Sequence, residues 1–176
     1  MAQIANWQVA NWYERKFDFS FPVELYPDLC MRLRGTPARL EEHVRRCPAE
    51  RMVRAAQGTW SAQEHAGHLL DLEPLWMARV EDYVAGRSEL SVADLSNRGT
   101  FEAKFNDRAL EKILADFRRA RIEMADRVEK IDAALFGRVL VHPRLKAPMR
   151  LVDHLFFVAE HDDHHLAIIW GMIREE

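Results

Sequence analysis

The chain has 176 residues, 48% hydrophobic and 30% charged, with a formal net charge of −3. This length predicts one domain with a substantial core, and the slightly acidic charge argues against a general nucleic-acid binder. No run of 18 apolar residues is present, so no membrane-spanning helix is predicted. Only two cysteines and an N-terminus without signal-peptide order predict a cytoplasmic protein.

The N-terminal segment 1–21 is rich in aromatic side chains but has no regular period. We expect residues 1–35 to form an arm packed on the body of the protein, and residues 36–176 to form the main domain. Contact between two copies of the chain is an alternative use of the arm. The spare aromatic side chains therefore contribute to the prediction of a homodimer.

The first helix is predicted at about 36–46, although it could begin upstream near Pro27. Thr36 followed by Pro37 provides a capping residue and a proline at the first helical position. Pro48 ends the predicted helix, because proline cannot continue it.

The second helix has the clearest start in the sequence. Ser61 and Glu64 form an S-x-x-E capping box, and Gly86 is a typical helix stop, so a helix is predicted over 61–85. His68 lies within the apolar arc of this helix, and His65 lies on the same arc about 60° away. Helix geometry alone does not choose between these two histidines.

A long polar connector at 87–106 follows, and connectors of this length are often functional. An apolar stripe predicts the third helix at 107–135, and residues 139–148 are predicted to form a short extended link. The fourth helix is predicted at 149–173. Four amphipathic helices predict an all-α four-helix bundle, in which the long connector lets helices two and three run parallel.

The fourth helix contains the segment EHDDHH at 160–165. At about 100° per residue, His161 and His165 lie about 40° apart in the middle of an apolar arc, while His164 lies at its rim. An i,i+4 pair of histidines can bind one metal ion, because a helical turn brings the rings side by side. The alternative is that they are hydrogen-bonded core residues.

Two motifs in this order resemble those of the DinB superfamily of metalloenzymes, which includes YfiT-like proteins. The resemblance covers about Thr36 to the end of the chain. The motifs are Trp60-Ser61-x-x-Glu64-x-x-x-His68-Leu69, continued by Leu72-Glu73-x-x-Trp76-x-x-Arg79, and His161-x-x-x-His165.

The resemblance implies an up-down-down-up bundle in which His68, His161 and His165 bind one divalent ion, zinc or nickel in our expectation. Characterised relatives include S-transferases that use low-molecular-weight thiols and a thiol-dependent isomerase. It therefore implies a thiol and a small electrophile as partners. His65 and His164 depart from the family pattern. Either could support the site by contacting a ligand or lie at the surface, and we expect both at the surface or rim of the site.

Three neutral histidine ligands would leave coordination positions open, as in catalytic rather than structural sites. Such an ion can lower the pKa of water to about 7, or hold a thiol as its nucleophilic thiolate. Asp162, on the inner half of helix four, is the candidate catalytic residue for orienting a ligand or moving a proton. The alternative for Asp162 is an ion pair with an arginine such as Arg79.

The sequence thus favours a divalent-metal-dependent transferase or hydrolase with an open three-histidine site. One alternative is a non-catalytic, stress-related metal-binding bundle, in which the ion holds helices two and four together. Another is an interaction protein without metal, whose histidines are polar groups of the core.

Overall fold

A computed structural model describes residues 7–174 and is mostly helical. The helices are α1 (Tyr26–Val44), α2 (Ala49–Met52), α3 (Ala62–Asp71), α4 (Glu73–Ala85), α5 (Arg98–Glu102), α6 (Leu110–Val128) and α7 (Leu151–Ile173), and the strands are β1 (Val139–His142) and β2 (Ala147–Arg150). None of the helices in this part of the chain has the length and apolarity needed to cross a bilayer.

Side-chain contacts give the directions of the long helices. The helices α1 and α7 run parallel, and so do α4 and α6, because residue numbers rise together along each contact. The helices α1 and α6 run antiparallel, because their numbers run in opposite order. With α3 and α4 taken as one rod, the order is up-down-down-up, which confirms the prediction. The contacts are Arg32–Glu160 and His43–Trp170, Glu73–Arg121 and Glu81–Arg127, and Arg34–Glu129 and Glu41–Arg118.

The first helix begins at Tyr26, ten residues before the predicted start at residue 36 but beside the alternative upstream start near Pro27, and Pro37 lies inside it. Because proline has no N–H, the carbonyl of Leu33 lacks its helical donor. The guanidinium of Arg121, from α6, lies against that carbonyl with Nη1 3.5 Å from the oxygen. A buried cation thus approaches the gap that the proline leaves in α1.

The second rod is broken, although a continuous helix was predicted over 61–85. Its capping box is present at Ser61, and Gly86 ends it with φ of 68°. Between these points α3 ends at Asp71 and α4 restarts at Glu73. Pro74 explains the break, because it has no N–H and its ring clashes with the carbonyl four residues earlier.

The predicted third helix extends too far, since α6 ends at Val128 and Asp132 caps a separate 3-10 turn at Ala133–Gly137. The predicted extended link is an antiparallel hairpin of β1 and β2. Glu89 of the connector joins Val141 in a parallel bridge. The connector is therefore ordered in part by pairing with the hairpin, which lies far from it in the sequence.

The N-terminal arm packs along α7 within the same chain. Trp12 and Phe17 contact Phe157, with ring centroids 5.2 and 5.0 Å away, and Trp7 donates a hydrogen bond from Nε1 to the carbonyl of Ala167 at 2.9 Å. The first six residues lie outside the described range. The homodimer stays a prediction, which light scattering at micromolar concentration would test, but these aromatic side chains are used within one chain.

The core divides into two apolar clusters along the bundle. In α7, residues up to Ala159 belong to one cluster and residues from Leu166 to the other. The second rod divides in the same way, between Leu69 and Trp76. A layer of buried polar side chains lies between the clusters, and it contains the histidines.

Candidate metal centre

Three buried histidines meet in this polar layer. One ring nitrogen from each of His68, His161 and His165 lies within 4.8 Å of the others. Ring centroids are 4.5 Å apart for His161 and His165, 4.9 Å for His68 and His165, and 5.4 Å for His68 and His161. The Nε2 atoms of His161 and His165 are 3.2 Å apart, so both are directed at one place. The three residues singled out in the sequence are thus brought together.

The orientation of His68 is fixed by α5. Nδ1 of His68 lies 2.9 Å from Oγ1 of Thr100, whose hydroxyl donates to Oδ2 of Asp71 at 2.8 Å. Because the carboxylate only accepts, Thr100 gives it the hydroxyl proton and accepts the Nδ1 proton of His68. Nε2 of His68 therefore carries a lone pair, which is the form that binds a metal.

His165 is held by a histidine expected at the surface. His65 is only 9% exposed, and its Nδ1 lies 2.9 Å from Nδ1 of His165. The expected surface or rim position was wrong for His65, because Trp60 covers it with ring centroids 5.3 Å apart, and the alternative, contact with a predicted ligand, is the one found. With Nδ1 of His165 engaged in this contact, its Nε2 is left to face His161.

Burial keeps these imidazoles neutral. Desolvation lowers the pKa of His65 to about 4, and desolvation together with His65 and His164 lowers that of His68 to about 3. The pKa values of His161 and His165 also lie well below the usual value, first because of burial and then because of neighbouring histidines. The site therefore offers lone pairs at neutral pH without losing protons first.

The nearby carboxylates are engaged elsewhere. Glu64 and Asp153 close capping boxes at the starts of α3 and α7, and Asp71 is held by Thr100. Glu73 accepts from Arg121 at 2.6 Å. Within the described residues no carboxylate joins the three histidines, so a bound ion would keep open coordination positions.

Asp162 is fully buried and belongs to an ionic network rather than to the histidine group. It contacts Nη1 of Arg121, accepts from Nη2 of the same guanidinium at 3.1 Å, and accepts from Oγ1 of Thr36 at 2.8 Å. The alternative considered for Asp162, an ion pair, is present, but with Arg121 instead of Arg79. Arg121 bridges Asp162 and Glu73, and so ties α6 to α7 and α4.

The histidines line one part of a pocket of about 430 Å³. His164, which is half-buried, lines it too, and the exposed side chains of Val92 and Leu95 carry it to the surface. Aromatic rings form much of its wall, so the pocket can exclude water from a bound molecule. The rings belong to Trp12, Trp60, Trp76 and Phe157.

Comparison with known proteins identifies the family and the fold. The sequence profile of the DinB superfamily matches residues 32–169. The chain belongs to the DinB superfamily. This DinB superfamily protein is similar in structure to YfiT from Bacillus subtilis, described as a probable metal-dependent hydrolase with an unusual four-helix bundle topology. The TM-score is 0.75 at 21% identity, covering 89% of this chain and 90% of that chain, which establishes the shared fold. No curated protein matches the chain.

Several residues of this DinB superfamily site were not found from the sequence. Thr100 lies in the connector, whose length suggested a function, but no local pattern linked it to His68. His142 and Arg144 reach the pocket from the β1–β2 hairpin. Nothing in their local sequence indicated that this hairpin would lie beside α7.

Proposed function

We propose that this DinB superfamily protein is an enzyme that uses one divalent metal ion, held by His68, His161 and His165, to transfer or hydrolyse a small electrophilic substrate. The observation that carries the proposal is the meeting of three buried, neutral histidines in the wall of a pocket that reaches the surface. Structural metal sites are normally closed by four protein ligands, whereas this group has three.

The residues present fit such an ion. Imidazole ligands suit zinc and nickel, and the contacts of His68 with Thr100 and of His165 with His65 leave one nitrogen of each ring free. When bound, the ion supplies Lewis acidity, which makes a water or thiol more acidic and a better nucleophile at neutral pH.

Other residues of the pocket screen the metal ligands from solvent and can accept a proton. Trp60 packs on His68 with ring centroids 4.7 Å apart, and Trp12 packs on His161 at 5.0 Å. These indoles screen the ligands from solvent. Burial, and then Arg15, lower the pKa of His164, so this pocket-lining imidazole is neutral and can accept a proton from the nucleophile.

The nucleophile is a low-molecular-weight thiol or water, and one experiment separates the two. Purified protein would be analysed for metals, chelated, reloaded with zinc or nickel, and assayed on a panel of electrophiles with and without thiol. Metal-dependent consumption of the electrophile only when thiol is present supports a transferase, and consumption without thiol supports a hydrolase. His161→Ala is the matched inactive control.

A non-catalytic role predicts a different result from the same samples. Because the ligands lie on α3 and α7, an ion would also hold these helices together. Metal-dependent melting without turnover of any electrophile would favour that role and contradict the proposed enzyme. Failure to bind zinc or nickel would contradict both.

A further inference from the structure

A second group of polar side chains lines the same pocket, next to the histidines. It consists of Arg79 from α4 and of His142 and Arg144 from the hairpin. The Trp76 ring touches both groups, with its centroid 5.6 Å from the His161 ring and 5.4 Å from Cζ of Arg79. A molecule of modest size could therefore contact both groups at once.

The proton on His142 can be placed from its contacts. Its Nδ1 accepts hydrogen bonds from the backbone N–H groups of Arg144 and Leu145, at 3.2 and 3.1 Å. A neutral imidazole has one donor and one acceptor nitrogen, so Nε2 of His142 must carry the proton. His142 is 1% exposed, and burial followed by Arg79 and Arg144 lowers its pKa to about 3, which keeps it neutral.

This assignment places two donors against each other. Nη1 of Arg79 lies 3.3 Å from Nε2 of His142, and both atoms carry protons. Neither can accept from the other, so both are satisfied only by an acceptor placed between or beside them. Nη2 of Arg144 is likewise buried without a hydrogen-bond partner in the described part of the chain.

The charge of this group is also without an ion-pair partner. Asp82 acts on Arg79 only at a distance, and its oxygens contact Arg87 and accept from the backbone N–H of Ser91. Arg79 is 2% exposed, and its Nε donates to the carbonyl of Ser91, but within residues 7–174 neither it nor Arg144 forms an ion pair with a carboxylate. The equally buried Arg121 has two carboxylate partners. A buried guanidinium normally has such a partner, because an unpaired buried charge is costly.

The acidic side chains of the pocket wall do not provide one. Glu89 faces Lys146, with Nζ 3.7 Å from Oε1. Asp94 accepts hydrogen bonds from Ser96 and from the backbone of Arg98. Among the described residues, no carboxylate therefore pairs with the donor group of Arg79, His142 and Arg144.

We propose that these three residues bind an oxyanion, a carboxylate or phosphate, carried by the substrate. That the bound molecule is a substrate rests on the proposed function. The anion site then defines this substrate as an anionic electrophile or an anionic thiol adduct. The Trp76 ring would separate the reacting atom, near the histidines, from the charged group, near Arg79. Arg79, His142 and Arg144 would then select and orient the substrate without taking part in bond making.

Calorimetric titration with benzoate, phenyl phosphate and the neutral, similarly shaped benzamide would test the anion site. Both metal-loaded and chelated protein would be used, because a metal ion can itself bind a carboxylate. We expect either anion to bind at least about tenfold more tightly than benzamide, in both forms of the protein. The stronger of the two anions identifies the oxyanion. Equal binding of all three probes would overturn the proposal.

Arg144→Gln should remove most of the preference for the anion, and Lys146→Gln is the matched control. Lys146 has the same charge and lines the same pocket, but it is exposed and faces Glu89. An equal loss in both variants would mean that the pocket has only a general positive potential, and would overturn the proposal. Arg79→Gln, with folding checked by circular dichroism, should act as Arg144→Gln does.

The two forms of the protein separate this proposal from the proposed function. A preference for the anion in chelated protein, without any metal-dependent turnover, would retain the anion site and contradict the enzyme. A preference that disappears on chelation would place the anion on the metal ion, which overturns the anion site and leaves the enzyme intact.

Discussion

Thr100 determines which nitrogen of His68 faces the site, because its hydroxyl, 2.9 Å from Nδ1, is already committed to Asp71 as a donor. Thr100→Val keeps the shape of the side chain and removes this contact. We expect the dissociation constant for zinc to rise about 10- to 100-fold, as observed when partners of metal-bound histidines are removed. Competition with a fluorescent chelator would measure it.

Thr59→Val is the matched control for this change. The hydroxyl of Thr59 also makes one hydrogen bond, but it is exposed and its partner is the backbone carbonyl of Ala56 rather than a histidine. An unchanged zinc affinity in Thr100→Val would show that the orientation of His68 does not depend on α5.

The ligand set is tested by single alanine variants. Changing His68, His161 or His165 to alanine should abolish tight metal binding, since two histidines rarely hold a divalent ion firmly. His65→Ala should weaken binding by about 10- to 100-fold, because His65 contacts the ligand His165 as Thr100 contacts His68, and His164→Ala should weaken it by about tenfold at most. Elemental analysis after dialysis would measure the bound metal.

Two results would contradict this set. Loss of metal in His65→Ala but not in His68→Ala would mean that the ligand on α3 is His65 rather than His68. Equal loss of metal in His164→Ala and His165→Ala would contradict the prediction that His165, and not His164, faces the metal site from α7.

Without metal, the protein should unfold readily in mild acid. Six buried histidines have a folded pKa below the usual value, whereas the unfolded chain titrates near 6.5. Above that pH all are neutral in both states, and below it only the unfolded state gains protons. Each should then cost about 1.4 kcal/mol of stability per pH unit. The six are His65, His68, His142, His154, His161 and His165.

Urea unfolding of the chelated protein between pH 8 and 5 would measure this loss. The metal-loaded protein is the control: its unfolding midpoint should be higher at each pH because the ion binds the folded chain, but its decline should begin at the same pH, near the pKa of histidine in the unfolded chain. A flat unfolding midpoint down to pH 5 would mean that these rings become protonated while the protein is folded.

Asp162 should matter for stability rather than for metal binding. Asp162→Ala leaves Arg121 with Glu73 as its remaining carboxylate, and we expect a loss of about 3 kcal/mol in the free energy of unfolding. The adjacent Asp163, half-exposed beside Arg32 and Arg39, is the control and should cost about 1 kcal/mol or less. Lost turnover with unchanged stability in Asp162→Asn would instead indicate a catalytic role.

Apolar periodicity and capping residues predicted the helices and the start of α3, because these features depend on residues close together in the sequence. The apolar periodicity located the four rods, and the capping box at Ser61 gave the start of α3 to within one residue. The break at Leu72 was missed even though Pro74 was a visible signal for it. The grouping of the three histidines was implied by the family resemblance rather than by helix geometry.

The remaining features depend on contacts between distant segments. Helix geometry placed His65 on the same arc as His68, but its burial depends on Trp60 and His165. Likewise, the hairpin of β1 and β2 pairs with Glu89 of the connector, and no local pattern specifies that contact. The unpaired charge of Arg79 could be recognised only after its whole surroundings were known.

The position of Arg121 has a consequence for when the protein can acquire its metal. This one guanidinium reaches the carbonyl that Pro37 leaves free in α1, Glu73 in α4 and Asp162 in α7. A bundle lacking any of these helices would lose one of these contacts, so the surroundings of Arg121 are complete only when all four rods have assembled. Because α3 and α7 come together only then, the three-histidine site is complete only in the folded bundle, and tight loading is expected to follow folding.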